Sequence, residues 1–314
     1  MENIQLKPKR KNNFANFIKN LKRDVTLWLF VIPGIIITFI FSYIPMYGVQ
    51  IAFRYYNFRD GFSGSKWAGL AHFIRFFDSP YFFITLKNTF ILSFYSLLAG
   101  FPIPIILALM LNAFRHKRYR KVIQGVTYAP NFISVVVMCG MIILFLSPTS
   151  GIINHVIRSF GGDPINFMAK KELWRHIYVW SGVWQGMGWG SVIYFAALSG
   201  VSPELHEAAI VDGATKFQII KYIDFPSILP TATILLILSC GSLLSVGFEK
   251  VFLLQNDLNK SVSEVISTYT YQVGLIDRDT SYSSAIGLFN SAINAIFLVG
   301  VNKISNKLSG SGLW

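Results

Sequence analysis

Six stretches of this chain are too long and too apolar for an ordinary soluble core. They lie near residues 26–52, 86–112, 121–147, 177–200, 228–254 and 283–303. Crossing about 30 Å of hydrocarbon takes about 20 apolar residues in a helix. Inside lipid, a backbone with no water to bond must satisfy its own N–H and C=O groups, which leaves the helix as the spanning form for such segments. Only 14% of the chain is charged, against about 25% in soluble domains. The expectation is an all-α integral membrane protein with six transmembrane helices over 26–303. Pro102 and Pro104 in the second stretch and Pro130 in the third predict local kinks.

Charge sets the orientation. Seven Lys and Arg precede the first span, and five crowd the short segment 113–121. The long segments 53–85, 148–176 and 255–282 carry acids as well. The positive-inside rule then predicts both termini in the cytoplasm. Residues 1–25 form a basic segment in which Phe14, Phe17, Ile18 and Leu21 recur at helical spacing, as in a helix lying on the inner membrane surface. The stretch after it exceeds the about 7–15 residues of a signal-peptide core and shows no small-residue cleavage pattern, so it reads as the first span. Residues 304–314 are expected to form a cytoplasmic tail. Basic cytoplasmic edges account for the net charge of +13, so no nucleic-acid partner is expected.

One polar interruption stands between the fourth and fifth spans, over residues 202–226. Ser202 can cap a first short helix, with Pro203 in its first turn and Glu204 and Glu207 near its positive end. Gly213 supplies a left-handed bend that ends it. Thr215 can cap a second short helix, and Pro226 and Pro230 mark where the fifth span begins. A knuckle of this kind suits a protein partner.

Catalytic signatures are absent. No phosphate loop, HExxH, GxSxG or CxxC occurs, and the histidines are scattered, so no catalytic or metal-binding residue is expected. Cys139 and Cys240 fall inside apolar stretches and read as small core residues.

Glu207-Ala208-Ala209, then Asp212-Gly213-Ala214, then Ile223 and Pro226 resemble the EAA loop of ABC importer permeases, with Phe225 where the family places leucine. The likeness extends to Phe41–Gly48, Trp67–Leu70, Asn88-Thr89, Gly247–Val251 and Gly287–Asn290, and is greatest to the carbohydrate and polysaccharide branch. It implies the type I ABC importer permease architecture in a bacterial cell membrane. It also implies a second permease subunit, two ATPase subunits, an extracellular solute-binding protein and a carbohydrate substrate. The chain itself would bind no cofactor, ATP and Mg being held by the partner ATPase. Glu207, Ala208, Ala209, Asp212, Gly213, Ala214, Ile223 and Pro226 would form the ATPase-coupling surface.

For the substrate path the candidates are Trp184, Gln185 and Trp189 in the fourth span and Glu249 near the end of the fifth. Aromatic faces beside an amide suit sugar rings, although tryptophan also anchors helices at bilayer interfaces. An ionisable group at membrane depth is a functional candidate by default. Two rivals stay open: a permease of this architecture for a non-sugar solute, and a stand-alone secondary transporter. The nearly uncharged span centres disfavour the second.

Overall fold

The computed structural model describes residues 25–114 and 116–309. The surface helix expected over 1–25 and the end of the expected tail therefore lie outside the described residues, apart from Val25. Contacts divide the chain into two units that meet between Ile51 and Ala52.

The first unit is one apolar helix. It runs as an α-helix over Val25–Thr38, passes through a π turn at Phe39–Tyr43, and continues as a 3-10 segment, Ile44–Phe53, into the start of the second unit. Thr38 donates its hydroxyl to the Gly34 carbonyl at 2.8 Å, a local bond that satisfies a polar side chain inside an apolar rod.

The second unit holds the rest. It opens with a two-stranded hairpin, Arg54–Tyr55 against Lys66–Trp67, followed by the short helix Ala71–Asp78. Ser79 caps the next helix by accepting from the Tyr81 amide, with Pro80 in the first turn. That second-span helix covers Pro80–Ala113, starting six residues earlier than residue 86 because of this cap.

The third stretch departs from the expected single kinked span. It forms two helices, Lys117–Phe132 and Val135–Phe145, bent by 99°. Pro130 sits in a 3-10 turn. Ser134 then restarts the helix by accepting from the Val137 amide at 3.3 Å. A residue without an N–H followed by a fresh cap makes a break rather than a bend.

At the fourth position stands a 29-residue helix, Lys171–Ser199. Among the described residues, four helices are long and apolar enough to cross a membrane, or five if the bent pair is one span. Lys171–Ser199 is not among them. It packs against the second, third and fifth spans, while its Trp180, Trp184 and Trp189 stay exposed. In lipid, apolar exclusion no longer drives helices together, and close backbone approach takes its place. Gly188 provides that approach: a Cβ there would overlap the Thr127 carbonyl of the third-span segment.

The fifth span also differs from expectation. The helix Lys216–Gly241 is continuous, through a π turn at Ile220–Asp224. The second half of the knuckle is thus the beginning of the fifth span and not a separate short helix. Pro226 falls in the first turn after the π turn, and Pro230 lies inside the helix. At the other end the helix stops at Gly241 rather than near 254. Residues 242–247 are non-helical, and Phe248–Leu254 is a helix of its own. Gly241, the last helical residue, leaves no room for a Cβ against Leu298, and the Ser242 hydroxyl bonds the carbonyls at the helix end, as serines do where a helix stops. The last helix covers Thr280–Ser309, beyond both ends of the expected 283–303.

Three clusters fill the second unit. Leu92, Met138, Cys139, Trp174, Val183 and Val251 form one. Ile105, Ala108, Tyr194, Leu198, Ile228 and Ala232 form another, toward the knuckle. Phe76, Ile266, Val273, Tyr282 and Ile286 form the third, against the helix Ala71–Asp78. Polar side chains tie the segments between them. Asn88 donates to the carbonyls of Ser261 and Glu264 and accepts from Arg175 at 2.8 Å, while Thr89 accepts from the Ile266 amide.

Candidate functional site: a knuckle and a cavity

The knuckle begins as its residues predict. Ser202 accepts from the Glu204 amide and Pro203 opens the helix Pro203–Val211. Gly213 has φ +78°. The Ala214 amide reaches back to the Ala209 carbonyl and the Gly213 amide to the Ile210 carbonyl, a pair of bonds that closes a helix end with a left-handed residue. Thr215 and Gln218 then cap each other reciprocally.

Glu207, Ala208, Asp212 and Gly213 are exposed, and Ala209, Ala214 and Ile223 are half-buried. Seven of the eight candidate coupling residues thus lie on the short helix, its closing turn or the π turn. Pro226 lies one turn further on, exposed. No side chain of Pro203–Val211 is buried, so this helix offers nearly its whole surface, including the small Ala208, for contact.

One residue of the knuckle escaped the sequence reading. Asp224 is 2% exposed and accepts from His206 Nε2 at 2.9 Å and from Asn112 at 3.3 Å. Its one sequence signal was an acid between Ile223 and Phe225 at the end of the polar stretch 202–226.

The second feature is a cavity of about 580 Å³ between the second, fourth and fifth spans, with residues 242–247 forming part of its wall. The polar residues of its lining carry hydroxyls, among them Ser96, Ser239, Ser242 and Ser245, with the rings of Tyr178 and Trp189 beside them. No charged residue lines it. The Ser239 hydroxyl donates to the Leu235 carbonyl and the Ser242 hydroxyl to its own helix end. Ser245 accepts from Asn294. A hydroxyl whose proton is used locally still offers lone pairs. Ser93 Oγ is buried without a hydrogen-bond partner behind this wall, closed off from the cavity itself.

Of the four substrate-path candidates, Trp189 lines this cavity and the other three do not. Gln185 donates to the Ile133 carbonyl at 2.8 Å, at the break of the third span. Trp184 is exposed. Glu249 is exposed in the first turn of Phe248–Leu254, where a carboxylate suits the helix dipole. Its neighbour Lys250 turns inward. That ammonium donates to the Tyr178 carbonyl at 2.6 Å and lies over the Tyr178 ring, 4.5 Å from its centre. The serines were readable only as packing residues, because small side chains at helical spacing signal both packing and pore.

The family described as "Binding-protein-dependent transport system inner membrane component" matches residues 100–310. The chain is similar to Protein LplB of Bacillus subtilis (strain 168), 42% identical over 94% of this chain and 92% of that protein. It is 39% identical to the polygalacturonan/rhamnogalacturonan transport system permease protein YteP of the same organism, over 97% and 95% of the two chains. Among solved structures, it matches a chain of a bacterial ABC transporter involved in the import of the acidic polysaccharide alginate. That match has a TM-score of 0.85 and 39% identity, covering 94% of this chain and 99% of that one.

Proposed function

The chain belongs to the binding-protein-dependent transport system inner membrane components, and from that premise we propose that it is the permease through which a carbohydrate enters the cell. It is a multi-pass protein of the bacterial inner membrane and a transporter subunit rather than an enzyme. The substrate class is an oligosaccharide or a fragment of a polysaccharide. The observation that carries it is the uncharged cavity, with serine hydroxyls and the rings of Tyr178 and Trp189. Sugar rings present C–H faces to aromatic surfaces and hydroxyls to hydrogen-bonding groups. Trp189, which lines the cavity and is exposed, is the contact we assign to the saccharide. The roles of Trp184, Gln185 and Glu249 in the path remain with the cavity's surroundings: Gln185 shapes the third-span break, and Trp184 and Glu249 present themselves to whatever covers the chain.

A second permease subunit completes the pathway, and an extracellular solute-binding protein delivers the sugar. A solved neighbour is described in complex with an alginate pentasaccharide-bound periplasmic protein, which supports such a delivery. Energy comes from two cytoplasmic ATPase subunits, which hold ATP and Mg, and no cofactor is bound by this chain. Glu207, Ala208, Ala209, Asp212, Gly213, Ala214, Ile223 and Pro226 receive their motion. The exposed helix Pro203–Val211, closed by the left-handed turn at Gly213, is suited to docking on a partner.

The test is uptake by vesicles carrying the complete importer, offered labelled neutral oligosaccharides, acidic oligosaccharides, amino acids and short peptides. Uptake of an oligosaccharide, lost when Trp189→Ala is introduced, is the expected result. Uptake of amino acids or peptides alone would overturn the substrate class.

A further inference from the structure

The helix Pro203–Val211 presents a mechanical problem. None of its side chains is buried, and only His206 and Ala209 are even half-buried. Packing therefore cannot hold it against a load. Its C-terminal end is a turn of exposed residues around Gly213, and its N-terminal end follows the non-helical Gly200–Ser202. Something else must fix it if motion received there is to reach the membrane spans.

Asp224 meets that requirement. A carboxylate accepts hydrogen bonds and donates none, so His206 Nε2 carries the hydrogen of the 2.9 Å contact. Asn112 donates to the same oxygen, Oδ1. The three residues belong to three different elements. His206 is on the exposed short helix. Asn112 is the penultimate residue of the second-span helix. Asp224 ends the π turn at the start of the fifth span. Adjacent residues on a helix point about 100° apart at 3.6 residues per turn, so His206 can face inward while Glu207 stays outward. The π turn contributes as well, because an extra residue in a helical turn shifts the side chains before it relative to those after it.

We propose that Asp224 is a positioning residue, a latch that fastens the helix Pro203–Val211 to the second and fifth spans at once. Displacement received on the Glu207 face is passed to both spans together. Without the latch the short helix swivels on its glycine turn and the displacement is lost. The functional part rests on the reading that this helix docks on an ATPase; the fastening itself does not.

Two arms keep these apart. In the first, amide hydrogen exchange across 203–211 is measured on the full-length permease in its purified complex. Asp224→Leu and His206→Leu should each raise exchange there by about tenfold, the loss of one hydrogen bond to a charged group being enough for that. His206→Gln, which keeps a donor, should restore most of the protection. The double variant should be no worse than the single ones, because both remove the same bond. In the second arm, uptake of a labelled oligogalacturonate per ATP hydrolysed should fall in the Leu variants while the ATPase stays bound. His206→Leu leaves the buried aspartate in place and serves if Asp224→Leu does not assemble. Unchanged exchange across 203–211 in folded His206→Leu, or additive effects in the double variant, would overturn the latch. Raised exchange without any ATPase bound to the unaltered complex would keep the latch and sink the docking reading.

Discussion

The Gln185 amide reaches 2.8 Å across to the Ile133 carbonyl, so a fourth-span side chain occupies the acceptor that the break in the third span sets free. The turn after Pro130 exposes carbonyls that a continuous helix would satisfy. Gln185→Leu removes the donor and leaves that carbonyl unpaired, at a cost of about 1–3 kcal/mol. The complex should lose several degrees of thermal stability, read by detergent-solubilised melting. An unchanged melting temperature would show that water substitutes.

Gly188 offers a sharper contrast. A Cβ there would overlap backbone of Thr127, whereas one at Gly186 meets nothing within 4 Å. Gly188→Ala should abolish recovery of folded protein, since backbone cannot yield as a side chain can. Gly186→Ala should leave expression and melting unaltered. Equal behaviour of the two variants would contradict the close approach of the third and fourth spans.

At Gly213 the cost is conformational alone. Its φ is +78° and a Cβ would find open space. Gly213→Asn should keep most activity, because asparagine tolerates this backbone region. Gly213→Val is expected to cost more than the roughly 1–2 kcal/mol usual for a left-handed residue, being β-branched. Its phenotype should be an inserted protein whose ATP hydrolysis is uncoupled from uptake. Normal uptake per ATP in the valine variant would refute the coupling role.

Lys250 is buried with no ion-pair partner among the described residues, and its ammonium rests on Tyr178, a residue of the cavity wall. A charge in a low-dielectric wall acts beyond its contacts. Lys250→Met should lower uptake of acidic oligosaccharides about tenfold more than of neutral ones, a difference of about 1.4 kcal/mol. Equal reduction of both would make the lysine a strut and nothing more.

Much of this was legible in the residues. Ser202, Gly213 and Thr215 act locally, within four positions of themselves, and each cap stands where its residue type placed it. Long apolar runs were legible in the residues, but the break of the third stretch, the protein-contacting fourth helix and both ends of the fifth were not. At the end of the fifth helix, Gly241 leaves no room for a Cβ against Leu298, 57 positions away in sequence, and no local pattern reports such a contact. The same holds for the site. Trp189 could be nominated because aromatic rings are conspicuous, whereas Ser93 becomes notable only when the fold buries it beside a cavity with no partner. Asp224 looked like part of a polar loop until the continuous helix brought it under His206.

The unbroken helix Lys216–Gly241 has 26 residues, about 39 Å at 1.5 Å per residue. It begins beside the glycine turn and ends beside the serines of the cavity. A rod of that length works as a lever: a tilt of about 10° about one end moves the other by about 7 Å. That displacement exceeds the width of a tryptophan ring system. Under the coupling role proposed above, a tilt received beside the glycine turn becomes a displacement of that size beside the serines of the cavity.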